Sequence, residues 1–439
     1  MTEVPQLFVR WYDGRLVGTL VNPSATYFAY SEEWVRSGFS LSPIRVPFDV
    51  NVYRQSSEDF DRLPGFLSDC LPDQWGRQIM ERAFAELDLA PTSLRRLAWV
   101  AQRGIGALQF EPAIPEAGTM GEEWKKVSSL RLAREAQAVL RHEPKEAFKH
   151  LRMNGSPGGA LPKATVAVLP GGDMLVGGVV AGALRDHPGA ILGILKLDQA
   201  ESLRRSTDGR FEHAYMLMAR AAGVRAANTW VMSERNGGRA RHHLFVERFD
   251  VDSATGRRRH LVTLAGLLET YSLDYRRLLL TTRQLTQDHG EVLEAVRRMI
   301  FNVRSVIADD HGKNHSFVLD EIGGPPGKWT LSPAYDLTLN AEPSGEYNGL
   351  SAASFGKAPN LSALITTALD AGVQVSEFER LDSEVSAAVG RWSEFAEQAR
   401  LSTAEAKNVQ DVLTLRADLL QSTMPNRQRE RRRRRLWEA

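Results

Sequence analysis

Two acids and an amide stand at a spacing that suits phosphoryl transfer. In FNVRSVIADDHGKNHSFVLDE, Asp309 precedes Asn314 by five positions, and Asp336 ends a later apolar run, WTLSPAYDL. Phosphoryl transfer needs a group near the attacking hydroxyl, hard oxygen ligands for Mg2+, and positive groups on the phosphates. Asp309 suits the hydroxyl. Asn314, through its side-chain oxygen, and Asp336 suit Mg2+. Asp310 lies four positions before Asn314, so the spacing prefers Asp309 as the base. His311 and His315 among these acids could suggest a metal hydrolase, but the nearby sequence offers no clear third ligand.

The phosphate-binding parts must come from upstream. In NGSPGGALPKATVAVLPGGD, Gly155, Gly158 and Gly159 form a turn around Ser156, ahead of a strand that Lys163 opens. Backbone N–H groups of such a loop can face phosphates, although a plain β-turn accounts for the same letters. No Gly-Lys-Ser/Thr opens a helix here, so this is not a Walker loop. ILGILKL reads as a buried strand with Lys196 near its end. That lysine either snorkels to water at the strand edge or reaches phosphates. Glu212 opens the helix EHAYMLMARAAG. It is either a favourable first-turn charge or a partner for the lysine. The strand His243–Phe249 ends VERFD, where a hinge would meet adenine through its backbone.

The elements around these residues follow from periodicity. Leu7, Val9 and Trp11 alternate with polar neighbours, Asp13-Gly14 signals a hairpin, and 16–20 and 27–30 continue as strands. Helices are expected after Pro72-Asp73, with Trp75, Ile79 and Phe84 on one side, and over 93–101, before RGIGALQF turns into a strand. Trp75 and Arg77 read as packing and surface residues. Residues 113–127 read as a linker, and a helix follows over 130–140. Beyond Asp250 the chain turns helical, over 261–271, 275–282, 292–307, 361–371, 376–398 and 403–420. The resulting division is 1–112, the linker 113–127, 128–250 with the glycine loop and hinge, and 251–439 with the acid–amide loop. No internal repeat is visible.

Composition narrows the class. At 439 residues the chain can hold two or three units. Its one cysteine, Cys70, allows no internal disulfide and suits a reducing compartment. The N-terminal stretch has Glu3 and no apolar core, so no secretory signal is expected. The apolar run 174–184 is too short for a membrane span, so a cytoplasmic protein is expected. Net charge is +1, and the Arg-rich tail 427–439 carries seven Arg and two Glu. Removing the tail's +5 leaves −4, so any nucleic-acid tendency sits in the tail, which otherwise reads as a solvated end.

Glycine loop, strand lysine, helix acid, hinge strand, Asp–Asn loop and later Asp occur in kinase order. With FDRLPGFLSDCLPDQWGR, RGIGALQF, GSPGGALPKA, ERFD, DDHGKNHSF and SPAYDL, the chain resembles the HipA family of bacterial toxin serine/threonine kinases along nearly its whole length. The resemblance implies an α+β, two-lobed, protein-kinase-like fold with a β-rich N-terminal lobe and an all-helical C-terminal lobe. It implies ATP and Mg2+ as cofactors, with Asp309 as catalytic base and Asn314 and Asp336 as Mg2+ ligands. Lys196 would be the ATP lysine, with Lys163 as the alternative, and Glu212 would hold the helix-acid position. Glu247 and Phe249 would lie at the hinge. Ser156 falls where family members autophosphorylate. A protein substrate such as an aminoacyl-tRNA synthetase, a small helix-turn-helix antitoxin, and operator DNA reached mainly through that antitoxin are the implied partners. A corepressor with little kinase activity and a small-molecule kinase are the other readings.

Overall fold

The computed structural model describes residues 6–21, 26–114, 124–143, 149–152, 161–177, 180–199, 208–235, 240–307, 309–321, 324, 326–339, 350–353 and 359–421. Gly155, Ser156, Gly158, Gly159 and the Arg-rich tail lie outside these residues. The chain forms two compact units. The first comprises Met1–Asp208, Met232–Thr270 and Phe317–Trp329; the second comprises Gly209–Val231, Tyr271–Ser316 and Thr330–Ala439.

Numbered along the chain, the first strands are β1 (Gln6–Trp11), β2 (Leu16–Val21), β3 (Thr26–Tyr30), β4 (Tyr53–Gln55) and β5 (Leu108–Glu111). They form one antiparallel sheet in the order β4-β3-β2-β1-β5. Leu7, Val9 and Trp11 are fully buried, as the alternation of β1 demands. The β1–β2 turn is closed by Asp13, whose carboxylate accepts from the Arg15 N–H at 3.1 Å, and Gly14 takes φ +95°. The helices α1 (Glu32–Ser37), α2 (Gly65–Ser68), α3 (Gln74–Glu86) and α4 (Ser93–Val100) lie between β3 and β5 in the chain. Trp75, Ile79 and Phe84 are buried on α3, as its pattern predicts.

A second sheet has six strands: β6 (Lys125–Lys126), β7 (Lys163–Val168), β8 (Met174–Val176), β9 (Ile191–Lys196), β10 (Thr229–Glu234) and β11 (Arg241–Glu247). Their spatial order is β10-β11-β9-β7-β8-β6. Helices α5 (Ser129–Leu140), α6 (Lys149–Arg152) and α7 (Val180–Asp186) fall between its strands in the sequence. Gly193 on β9 is required by a neighbour, because a Cβ there would lie 2.0 Å from the Phe245 ring on β11. A third, three-stranded sheet pairs β12 (His260–Thr263) with β13 (Ser316–Asp320), and β13 with β14 (Lys328–Leu331).

The helices of the second unit are α8 (Gly209–Ala221), α10 (Tyr275–Thr286), α11 (His289–Arg304), α12 (Leu361–Asp370), α13 (Val375–Gly390), α14 (Trp392–Gln398) and α15 (Thr403–Gln421); α9 (Leu264–Leu268) belongs to the first unit. The helix expected over 261–271 is corrected here. His260 to Thr263 form a strand, and helix begins only at Leu264. Thr263 is the cause of the switch, since its hydroxyl caps α9 by accepting from the Gly266 N–H. The helix expected over 376–398 is two helices, α13 and α14, which meet at Gly390–Arg391.

Candidate active site

Helix α11 delivers the acid–amide loop. It starts at Asp288, whose side chain accepts from the Gly290 N–H, and buries Val292, Val296, Met299 and Ile300. It ends with the Ile307 N–H bonded to the Asn302 carbonyl at 3.0 Å and with Val306 at φ +55°. That six-to-one bond is a Schellman closure, in which the left-handed residue is normally glycine. A β-branched residue there is strained, so the entry to the loop is held against a local preference.

The two adjacent acids then part. The Asp309 side chain is 54% exposed, with His311 Nε2 3.7 Å from its Oδ1. Asp310 is 1% exposed. Its carboxylate accepts from the Tyr275 hydroxyl on α10 and lies 2.6 Å from His315 Nε2. A carboxylate committed to two buried donors cannot meet a substrate hydroxyl, whereas Asp309 can. Of the two acids, the one that the spacing prefers is thus the exposed one.

Asn314 is oriented by the same loop. Its side-chain N–H donates to the Asp309 carbonyl at 2.7 Å, which leaves the amide oxygen as its acceptor end. The turn is tightened by the Asn314 N–H on the His311 carbonyl at 2.9 Å and the Lys313 N–H on His311 Nδ1 at 3.2 Å. Tyr335 braces the loop from the next segment, its hydroxyl donating to the Lys313 carbonyl at 2.7 Å and meeting Ser316 Oγ at 2.6 Å. Asp336 follows Tyr335 with φ +59°. Left-handed backbone is uncommon for a non-glycine residue, though Asp tolerates it. Asn314 and Asp336 line one pocket, together with Asp310, His315 and Tyr335. Both offer hard oxygen, the donor type Mg2+ takes, so the residues present fit that ion. His311 and His315 are each engaged with protein groups.

In the first unit, β7 and β9 pair with Lys163 directly opposite Lys196. Lys163 is 6% exposed, and its carbonyl accepts from the Trp75 indole at 3.0 Å. The two lysines that the sequence offers as alternatives are thus cross-strand neighbours. Trp75 is a packing residue, and Arg77 makes a two-pronged pair with Asp61 at 3.0 and 2.6 Å. Glu212 is buried in the first turn of α8, in the second unit. Glu247 ends β11, and Phe249 follows it.

Several positioning residues escape the sequence reading. In ERFD it is Arg248 and Asp250 that form a buried pair, at 2.9 and 2.6 Å. Asp250 also accepts from the Gly106 N–H at 2.7 Å, and Arg258 donates to the Gly104 carbonyl at 2.6 Å. Within the first unit, then, the RGIG turn is pinned to the segment after β11. Burial raises the Asp250 carboxyl, but Arg248 and Arg258 outweigh it and hold it below the usual range. In the second unit, Arg225 grips Glu291 at 3.0 and 2.7 Å, and the Ala334 N–H reaches the Arg225 carbonyl at 2.7 Å. This fixes the approach to Asp336. A charge inside a helical pattern is the one signal that could mark Glu291.

The fold is HipA-like. Residues 155–410 match the HipA-like C-terminal domain and residues 9–111 the HipA N-terminal domain; the chain belongs to the HipA family. Among solved structures, it resembles HipA from the Shewanella oneidensis MR-1 toxin–antitoxin system, in a complex of HipA, HipB and operator DNA. The TM-score is 0.63 at 17% identity, over 94% of this chain and 96% of that one. A comparison with the Helicobacter pylori proinflammatory kinase CtkA gives a TM-score of 0.28 at 11% identity, over 52% of this chain and 87% of that one. A likeness that low carries no argument. No curated protein matches the sequence. Among the described residues no helix is long and apolar enough to cross a membrane.

Proposed function

We propose that this protein is an ATP- and Mg2+-dependent serine/threonine protein kinase that acts as the toxin of a type II toxin–antitoxin pair. The observation that carries the reading is the parting of Asp309 from Asp310. One acid is exposed beside an amide whose oxygen is left as an acceptor, and its neighbour is buried as a support. Asp309 would orient a Ser or Thr hydroxyl and take its proton. Asn314 Oδ1 and the Asp336 carboxylate would hold Mg2+. When bound, the ion neutralises charge on the transferring phosphates. Lys163 and Lys196 face each other across two strands, where like charges repel; an ATP phosphate beside them would offset that repulsion. The backbone at Glu247 and Phe249 would meet adenine.

By family membership, the partner is a small helix-turn-helix antitoxin, and operator DNA is reached through it. The Shewanella relative was solved with HipB and operator DNA. The substrate class is a translation protein such as an aminoacyl-tRNA synthetase. Ser156 is the proposed autophosphorylation site, with Gly155, Gly158 and Gly159 around it. A phosphate there would set like charge against ATP and inhibit. The test is phosphoproteomics after expression of wild type and Asp309→Asn. Phosphosites on Ser156 and on a host protein should appear with wild type alone. Equal phosphorylation by both forms would sink the reading.

A further inference from the structure

Beneath the acid–amide loop, three buried side-chain atoms have no hydrogen-bond partner among the described residues: Arg298 Nη1, Asn302 Oδ1 and His315 Nδ1. All three residues line the pocket that Asn314 and Asp336 also line. Each is more than nine-tenths buried, at 2%, 3% and 2% exposure. Buried polar atoms are nearly always paired, and the coincidence of these three on one pocket calls for a common ligand.

The hydrogen-bond roles select the ligand. Arg298 Nη1 can only donate, and Asn302 Oδ1 can only accept. His315 Nε2 faces the Asp310 carboxylate at 2.6 Å, so Nε2 carries a hydrogen and Nδ1 is the ring atom left over. The three atoms therefore include a fixed donor, a fixed acceptor and an imidazole nitrogen. An anion seated on these three atoms would meet the Asn302 lone pairs, and a cation would meet the guanidinium. A water both donates and accepts, which matches all three. The pocket has room for about one water.

We propose that a single structural water is bound there, bridging Arg298 and Asn302 of α11 to His315 of the loop. It completes an unbroken polar chain from the Tyr275 hydroxyl through Asp310 and His315 to α11. The site stands whether or not Asp309 is a catalytic base. A crystal structure of the full chain that shows ordered water should place one peak within hydrogen-bond distance of all three atoms. No peak there, or a peak with the anomalous signal of a soaked bromide, would overturn it. Side-chain nitrogen-15 spectra give an independent reading. His315 Nδ1 should be hydrogen-bonded, and Asn302→Leu should shift its signal. An Nδ1 without a hydrogen bond in the wild type would overturn the proposal even if the variant failed to fold.

Discussion

At the scale of single residues, the decisive contrast is between two neighbouring aspartates with opposite surroundings. Asp309 is about half exposed, with His311 Nε2 3.7 Å from its Oδ1. Asp310 has Tyr275 and His315 as fixed donors in the interior. Their variants should therefore fail differently. Asp310→Asn puts an amide N–H against one of two buried donors, which costs about 1–3 kcal/mol, so its melting temperature should fall by several degrees. Asp309→Asn should stay within about 0.5 kcal/mol of wild type, as exposed substitutions do. Thermal melts of both check this, and equal destabilisation would contradict the division of roles. The spacing to Asn314 already favoured Asp309. What no spacing shows is that Tyr275, 35 residues before Asp310, is the partner that removes Asp310 from chemistry.

At the scale of elements, α11 and its Schellman closure decide how the loop starts. Val306 occupies the left-handed position at φ +55°, which costs a side-chain-bearing residue about 1–2 kcal/mol. Glycine pays roughly 0.5–1 kcal/mol in extra chain entropy, so Val306→Gly should gain up to about 1 kcal/mol in urea unfolding. A clear loss would show that the Val306 side chain contributes packing that outweighs the strain. Local signals made most elements legible here: alternation gave β1, and the 3.6 period gave α3 and α11. The strand β12 was missed because Leu261 and Val262 fit a helical run, and only pairing with β13, some 55 residues on, makes them a strand. The Lys163–Lys196 register was illegible for the same reason, since strand pairing is set by tertiary contacts. A sequence can name both lysines as alternatives but cannot show that they face one another.

At the scale of the whole molecule, stability should carry an acid limb from His260. Its ring lies in the core of the first unit, centred 5.9 Å from Trp329 and 6.1 Å from Phe66, with Nε2 2.9 Å from the Leu41 carbonyl. Burial lowers its pKa to about 4 from the ordinary 6.5, against the raising effect of the Leu41 bond. The folded value lies below the unfolded one. As pH falls below about 6.5 the unfolded chain takes up the proton first, so stability drops until about pH 4. Across that range the loss is on the order of 3 kcal/mol. Urea midpoints measured from pH 7 to 4 should show this slope, and His260→Gln, which keeps a donor to Leu41, should flatten it. An unchanged slope in the variant would assign the acid limb elsewhere.

The claim at the centre of this account is that Asp309 serves phosphoryl transfer. It is tested most directly by incubating purified wild type and a folded Asp309→Asn variant with γ-labelled ATP, Mg2+ and a cell lysate. Label should appear on protein serine or threonine with wild type, and the rate should fall by about 100-fold or more with the variant. Undiminished transfer by Asp309→Asn, with its melting temperature intact, would contradict it.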